Sequence, residues 1–176
     1  AYGGGWYDEN SKAKIELGKT VINIGEGERF IFDSWSGDIS SKDPIVEVQV
    51  NSPLEITANW RHQYRVEVST NYSKVILDPP SPDGWYDAGT KLKMKIEEEK
   101  VMESLFASME FMKWVEATGA EYNTPEVELT VDKPLKFEVV WERRLRLLPL
   151  AILGVMVLLL IVALAAILFI KLGRTR

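Results

Sequence analysis

A chain of 176 residues has room for one ordinary domain or two small ones. It contains no cysteine, which excludes a disulfide framework, a thiol nucleophile and cysteine-ligated zinc or copper. Charge is divided along it: Ala1 to Glu142 carries 15 Lys/Arg and 26 Asp/Glu, a net of −11, while Arg143 to Arg176 carries six basic residues and no acid, leaving the formal −5. An acidic body with a basic, apolar tail argues against nucleic acid as a partner and suits a domain fixed to a membrane.

The chain opens on Ala1-Tyr2-Gly3-Gly4 and then reads Gly5-Trp6-Tyr7-Asp8, a motif that returns as Gly84-Trp85-Tyr86-Asp87. Aligning the two extends the match far downstream. Trp6 to Trp35 and Trp85 to Trp114 are both 29 residues; FIFDSW (30–35) faces MEFMKW (109–114), PIVEVQV (44–50) faces PEVELTV (125–131), and NSPLEITANW (51–60) faces DKPLKFEVVW (132–141). The period is 79 residues at the first two Trp positions and 81 at the third, with the extra two between Trp114 and Pro125. An internal duplication sets the whole architecture.

Within each copy the matched segments read as strands. Val46, Val48 and Val50 alternate with Glu47 and Gln49; Leu54, Ile56 and Ala58 alternate with Glu55, Thr57 and Asn59. Val127, Leu129 and Val131, then Leu135, Phe137 and Val139, repeat the pattern, and Lys91 to Ile96 alternates too. A period of two buries one face and wets the other. Gly25-Glu26-Gly27-Glu28 is a turn, not a phosphate loop, since no helix with Lys-Ser/Thr follows. Its counterpart conflicts with this: Glu97 to Val115 is rich in helix formers at helical spacing. The repeat predicts strand near Met109–Trp114, preceded by a helical turn. The expected fold is all-β: two tandem small antiparallel β-sandwich (Ig-like) modules or open barrels, residues 1–60 and 61–142.

The GWYD motifs fall in turn-rich connections. An aromatic pair there covers the open end of a sandwich, with Asp87 bonding the turn's own amides; the competing reading is an aromatic platform for glycans. The fixed spacing to the next Trp favours the structural role for Trp6, Tyr7, Trp35, Trp60, Trp85, Tyr86, Trp114 and Trp141. In the second copy a strand pair, YRVEVS (64–69) and KVILDPPSPD (74–83), precedes GWYD, whereas the first copy has only four residues there. The first module is therefore expected to be incomplete, with further chain upstream or a strand supplied from elsewhere.

Arg143, Arg144 and Arg146 form a basic collar expected at lipid headgroup level. Leu147 to Ile170 then carries 24 residues without a charge, about 36 Å as a helix, enough to cross a hydrocarbon core of roughly 30 Å. Lys171 to Arg176 is the expected cytoplasmic tail. Three basic residues on each side give no orientation by charge; the body is placed outside on the nature of its modules, which requires a signal peptide that has been removed, and the alternative is a tail-anchored protein with its body in the cytoplasm. Gly154, Ala163, Ala165 and Ala166 are small enough for close helix approach.

Catalytic candidates are few. His62 is the single histidine, without a nucleophile motif to serve. Asp8, Glu9, Asp33, Asp38 and Asp43 lack calcium-loop spacing, and a solvated acidic surface is expected instead. Asn71-Tyr72-Ser73 is a glycosylation sequon at a predicted turn. No catalytic residue, metal or cofactor is expected.

The run YRVEVSTNYSKV, GWYDAGT, FMKWV, P-x-V-x-L-x-V-x-KPL and VVW resembles a module found in tandem in archaeal membrane-anchored cell-surface proteins, and is similar to bacterial surface repeats with a Phe-x-x-Trp core. Trp35-Ser36-Gly37-Asp38 fits that pattern; Trp114-Val115-Glu116 departs from it. The resemblance covers Gly5 to Trp141. It implies a non-enzymatic stalk, spacer or anchor for an S-layer, adhesive or secreted-enzyme assembly, with the lipid bilayer and other surface proteins as partners. The alternative is an accessory single-span subunit of a larger membrane complex.

Overall fold

The computed structural model describes residues 1–173, with side chains in the C-terminal helix described for 150–168. The body is built of strands. The first copy of the repeat forms β1 (Ser11–Glu16), β2 (Val21–Gly25), β3 (Glu28–Gly37), β4 (Ile45–Val50) and the opening of β5 (Ile56–Ser69). The rest of the body forms β6 (Val75–Asp78), β7 (Trp85–Asp87), β8 (Thr90–Ile96), β9 (Lys100–Met102), β10 (Ala107–Glu116), β11 (Glu121–Tyr122), β12 (Glu126–Val131) and β13 (Leu135–Leu145). One helix, α1 (Leu147–Gly173), follows. Arg143 and Arg144 of the expected collar are the end of β13, and Arg146 alone separates strand from helix. Arg174–Arg176 of the expected tail lie outside the described residues.

The duplication extends to hydrogen-bond register. β1 pairs antiparallel with β4, Ser11 opposite Val50 and Glu16 opposite Ile45; β8 pairs with β12, Thr90 opposite Val131 and Lys95 opposite Glu126, the same register carried forward by the repeat offsets. β3 on β5 places Trp35 opposite Ala58, and β10 on β13 places Trp114 opposite Val139, with a bulge after Phe32 and after Phe111. The indole N–H of Trp35 donates to Asp43 O and that of Trp114 to Thr124 O, each at 2.9 Å. Phe32 meets Trp35 and Trp60 edge-on at 5.4 and 5.9 Å; Phe111 meets Trp114 and Trp141 at 5.8 and 6.4 Å. The conserved-spacing aromatics are thus one Phe-Trp-Trp cluster written twice.

Glu97 to Val115 departs from its local helical pattern. β9 and β10 form a hairpin, and the helical turn expected before Met109 is replaced by a tight reversal in which the N–H groups of Glu103 and Ser104 both donate to Ala107 O at 3.1 Å. Pairing with β13 on one side and β9 on the other buries Ala107, Ser108 and Met109, and this burial overrides helix propensity. The expectation of purely antiparallel sheets is also corrected. Leu135–Glu138 of β13 pairs parallel with Val66–Ser69 of β5. The two strands are separated by a long stretch of chain, as a parallel pair requires.

β5 is the hinge of the topology. It runs unbroken through Trp60-Arg61, pairing first with β3, then with β7, then with β13, so strands of both copies share one eight-stranded sheet. β12-β8-β6 and β1-β4 form two smaller sheets. Leu92, Met94, Ile96, Val127 and Val131 from the three-stranded sheet meet Val66, Trp114, Leu135, Phe137 and Val139 from the large one in a single buried core. The first copy's core cluster is far smaller, built on Leu17, Phe32 and Trp35.

Candidate functional site

The two GWYD motifs occupy very different surroundings. In the second copy, Asp83 closes the turn, its carboxylate accepting the Ser81 hydroxyl at 3.0 Å and the Trp85 N–H at 3.3 Å. These bonds, with the Arg29 guanidinium beside it, hold Asp83 below the usual carboxylate range. β7 then pairs with Gln63–Arg65 of β5. Arg29, from the first copy, lies 4.1 Å over the Trp85 ring and donates to Gln63 and Asp83. Asp87 accepts from Gln63 Nε2 at 2.9 Å and from Arg61 at 3.1 Å. The expected role of Asp87 is therefore corrected: Asp83 satisfies the turn's amide, while the Asp87 side chain clamps β5. Here the motif joins one copy to the next.

In the first copy the same residues stand open. Trp6 is fully exposed, and Tyr7 is 40% exposed against 4% for Tyr86. Tyr7 holds only a local bond, its hydroxyl donating to Gly3 O at 2.7 Å. The backbone of Tyr2 bridges Glu16, as Ile76 faces Lys95 in the second copy, so Tyr2 stands in for β6. The described residues contain no first-copy counterpart of Val66–Ser69. What remains is a cleft of about 670 Å³ lined by Tyr2, Trp6, Trp35, Val48, Val50, Leu54 and Ile56 among others. Leu54 is 37% exposed where its counterpart Leu135 is 4%.

The cleft has a polarity as well as a shape. Its equivalent in the second copy is filled by an extended segment that sets Val66 and Val68 into the core and runs parallel to Leu135–Glu138, with Glu67 reaching Lys136 at 3.8 Å. In the first copy the counterpart of Lys136 is Glu55. The position beside Glu55 thus has the opposite charge preference to the one beside Lys136.

The other residues singled out by sequence are dispersed. His62 is stacked between Phe30 and Tyr64, both at 4.5 Å, with Nε2 2.7 Å from a Glu28 carboxylate oxygen. Asp38 accepts the Glu55 N–H, Asp43 the Ile45 N–H, and Asp33 pairs with Arg61, so these three acids serve local structure. Asp8 and Glu9 are exposed, and Glu9 lines the cleft. Among the described residues, no group of three or more His, Asp or Glu side chains could hold a metal. Asn71 is exposed in the β5–β6 turn. Arg143 pairs with Glu103 at 2.6 Å and Arg144 with Glu142 at 2.7 Å. Leu150–Leu168 of α1 is long and apolar enough to cross a membrane, and none of it is buried against the body. Gly154, on this stretch, has open space where a Cβ would sit.

Arg29 and Arg61 were not legible as functional residues. Neither has a basic counterpart in the second copy, where Ser108 and Glu142 stand, and that break in an otherwise regular repeat is the signal that points to them. No known protein family, curated protein or solved structure matches the chain.

Proposed function

We propose that the chain is a non-enzymatic, single-pass cell-surface protein of the archaeal type, with two tandem Ig-like β-sandwich modules outside the cell and a cytoplasmic C-terminus. Its modules act as a spacer or anchor that holds an S-layer, adhesive or secreted-enzyme component near the membrane. The observation that carries this reading is the join between β13 and α1. A strand of the second core passes through one residue, Arg146, into an apolar helix, with no flexible linker between. A module so attached transmits its position to the bilayer. The first-copy cleft lined by Trp35, Val48, Val50 and Leu54 is the place we assign to whatever is held.

The test is twofold. Protease added to sealed cells should cleave the body and spare α1; full protection of the body would overturn the orientation. A photo-crosslinker at Leu54, in the native membrane, should capture a protein through an extended segment; capture of nothing there would remove the anchoring role from the cleft. A second reading, an accessory subunit, is favoured by the exposure of every described side chain along 150–168, including open Gly154. Purification in mild detergent separates the two, since a stoichiometric membrane partner bound through α1 belongs to the subunit alone.

A further inference from the structure

We propose that the tip of the β9–β10 hairpin, Met102 to Phe106, together with Leu145, rests on the lipid bilayer and seats the second module against the membrane surface. The inference rests on the reading of α1 as a spanning helix.

The tip has a counterpart in the first copy, and its contacts there show what such a tip is for. The β2–β3 hairpin turns through Gly25-Glu26-Gly27, and Gly27 O accepts the Arg65 N–H at 2.9 Å. A Cβ at Gly27 would come within 3.0 Å of the Pro134 side chain. Pro134 immediately precedes β13, so the first tip abuts the next copy down the chain. In the second copy the equivalent bond is present: Phe106 O accepts the Arg146 N–H at 2.8 Å. The next thing down the chain is now α1, which starts at Leu147.

The residues change accordingly. Where the first tip reads Gly-Glu-Gly, the second reads Ser-Leu-Phe. Leu105, at the position of Glu26, is 67% exposed; Met102 and Leu145 beside it are also exposed. Three long aliphatic side chains therefore stand in solvent at the point where the chain enters the apolar helix. The tip is held in shape by the Phe106 N–H to Ser104 Oγ bond at 3.2 Å and by Glu103 on Arg143 at 2.6 Å. The Arg143–Glu103 and Arg144–Glu142 pairs neutralise the two acids beside the tip, which leaves Arg146 to supply positive charge for anionic headgroups. Apolar side chains with flanking arginines are the composition of an interfacial contact.

The absence of cysteine makes the experiment direct. Single cysteines at Leu105, at Glu26 and at Leu159 of the full chain are labelled with an environment-sensitive fluorophore in vesicles of phosphatidylcholine and phosphatidylglycerol. Nitroxide-bearing lipids serve as quenchers. The label at position 105 should be quenched severalfold more than that at 26, most strongly by nitroxides near the headgroup. That at 159 should respond to deep nitroxides. Quenching at 159 with none at 105 beyond the level at 26 would overturn this inference alone. No lipid quenching at 159 would overturn the spanning reading and this inference with it. A blue-shifted but unquenched label at 105 would mean that a second copy covers the tip, and would equally overturn it. Leu105→Glu should abolish the excess quenching of a label placed at Met102.

Discussion

Tyr86 and Tyr7 share a motif and differ in everything around them. The Tyr86 hydroxyl is buried without a well-formed hydrogen bond, with the Ser81 backbone as a polar neighbour. Burial, with the Asp83 charge nearby, pushes its phenol above the ordinary value. The folded state therefore keeps this proton after the unfolded chain has lost it, and stability falls as pH rises from about 10 toward the raised value. Tyr86→Phe should flatten that alkaline limb. Removing an unsatisfied buried hydroxyl should also leave stability at neutral pH unchanged or higher by about 1 kcal/mol. Denaturant unfolding of the two proteins across pH checks both; a loss of stability at pH 7 would mean that the hydroxyl has a partner. The motif itself was legible in the sequence, because Trp, Tyr and Asp at a fixed distance from a second Trp are hard to mistake. The use of Asp87 was not, because its partners Arg61 and Gln63 lie on a strand that local turn rules do not reach.

Paired elements make the repeat an internal control. Leu135 and Leu54 hold the same register position at the head of β13 and just before β5, one sealed by Val66–Ser69 and the other facing the cleft. Leu135→Ala should cost about 2–5 kcal/mol, as for other buried leucines. Leu54→Ala should cost well under half as much, since the side chain is already partly in water. Equal losses, measured by thermal or denaturant unfolding, would mean that the cleft is filled. Strands β4, β8, β12 and β13 were readable from alternation alone, since each has one wet face. The β9–β10 hairpin was not, because Met, Glu, Lys and Leu favour a helix locally and only the repeat and the burial of Ala107–Met109 decide otherwise. The bulge after Phe111 adds to the confusion by turning Met112 outward and breaking the alternation.

At the scale of the whole molecule, strand β5 removes the boundary between copies. It lies inside one sheet, between β13 and β3, and Arg29 over Trp85 and Arg61 bridging Asp33 to Asp87 tie the copies together. The body should therefore unfold in detergent as a single transition, with tryptophan fluorescence and far-ultraviolet dichroism changing together. Two separated transitions would show that the copies are independent. Two copies were visible in the sequence, but their fusion was not. No pattern in Ile56–Ser69 marks which strands will lie on either side, and a parallel partner 69 residues away leaves no local trace.

That parallel pair has a mechanical consequence. A pull between α1 and the first copy enters β13 at Arg146 and β5 at Ile56, drawing two parallel neighbours in opposite senses. The rungs between Leu135–Glu138 and Val66–Ser69 are then loaded side by side in shear, instead of being opened one after another like a zip. The strand that couples the copies also lies across the path along which tension would travel.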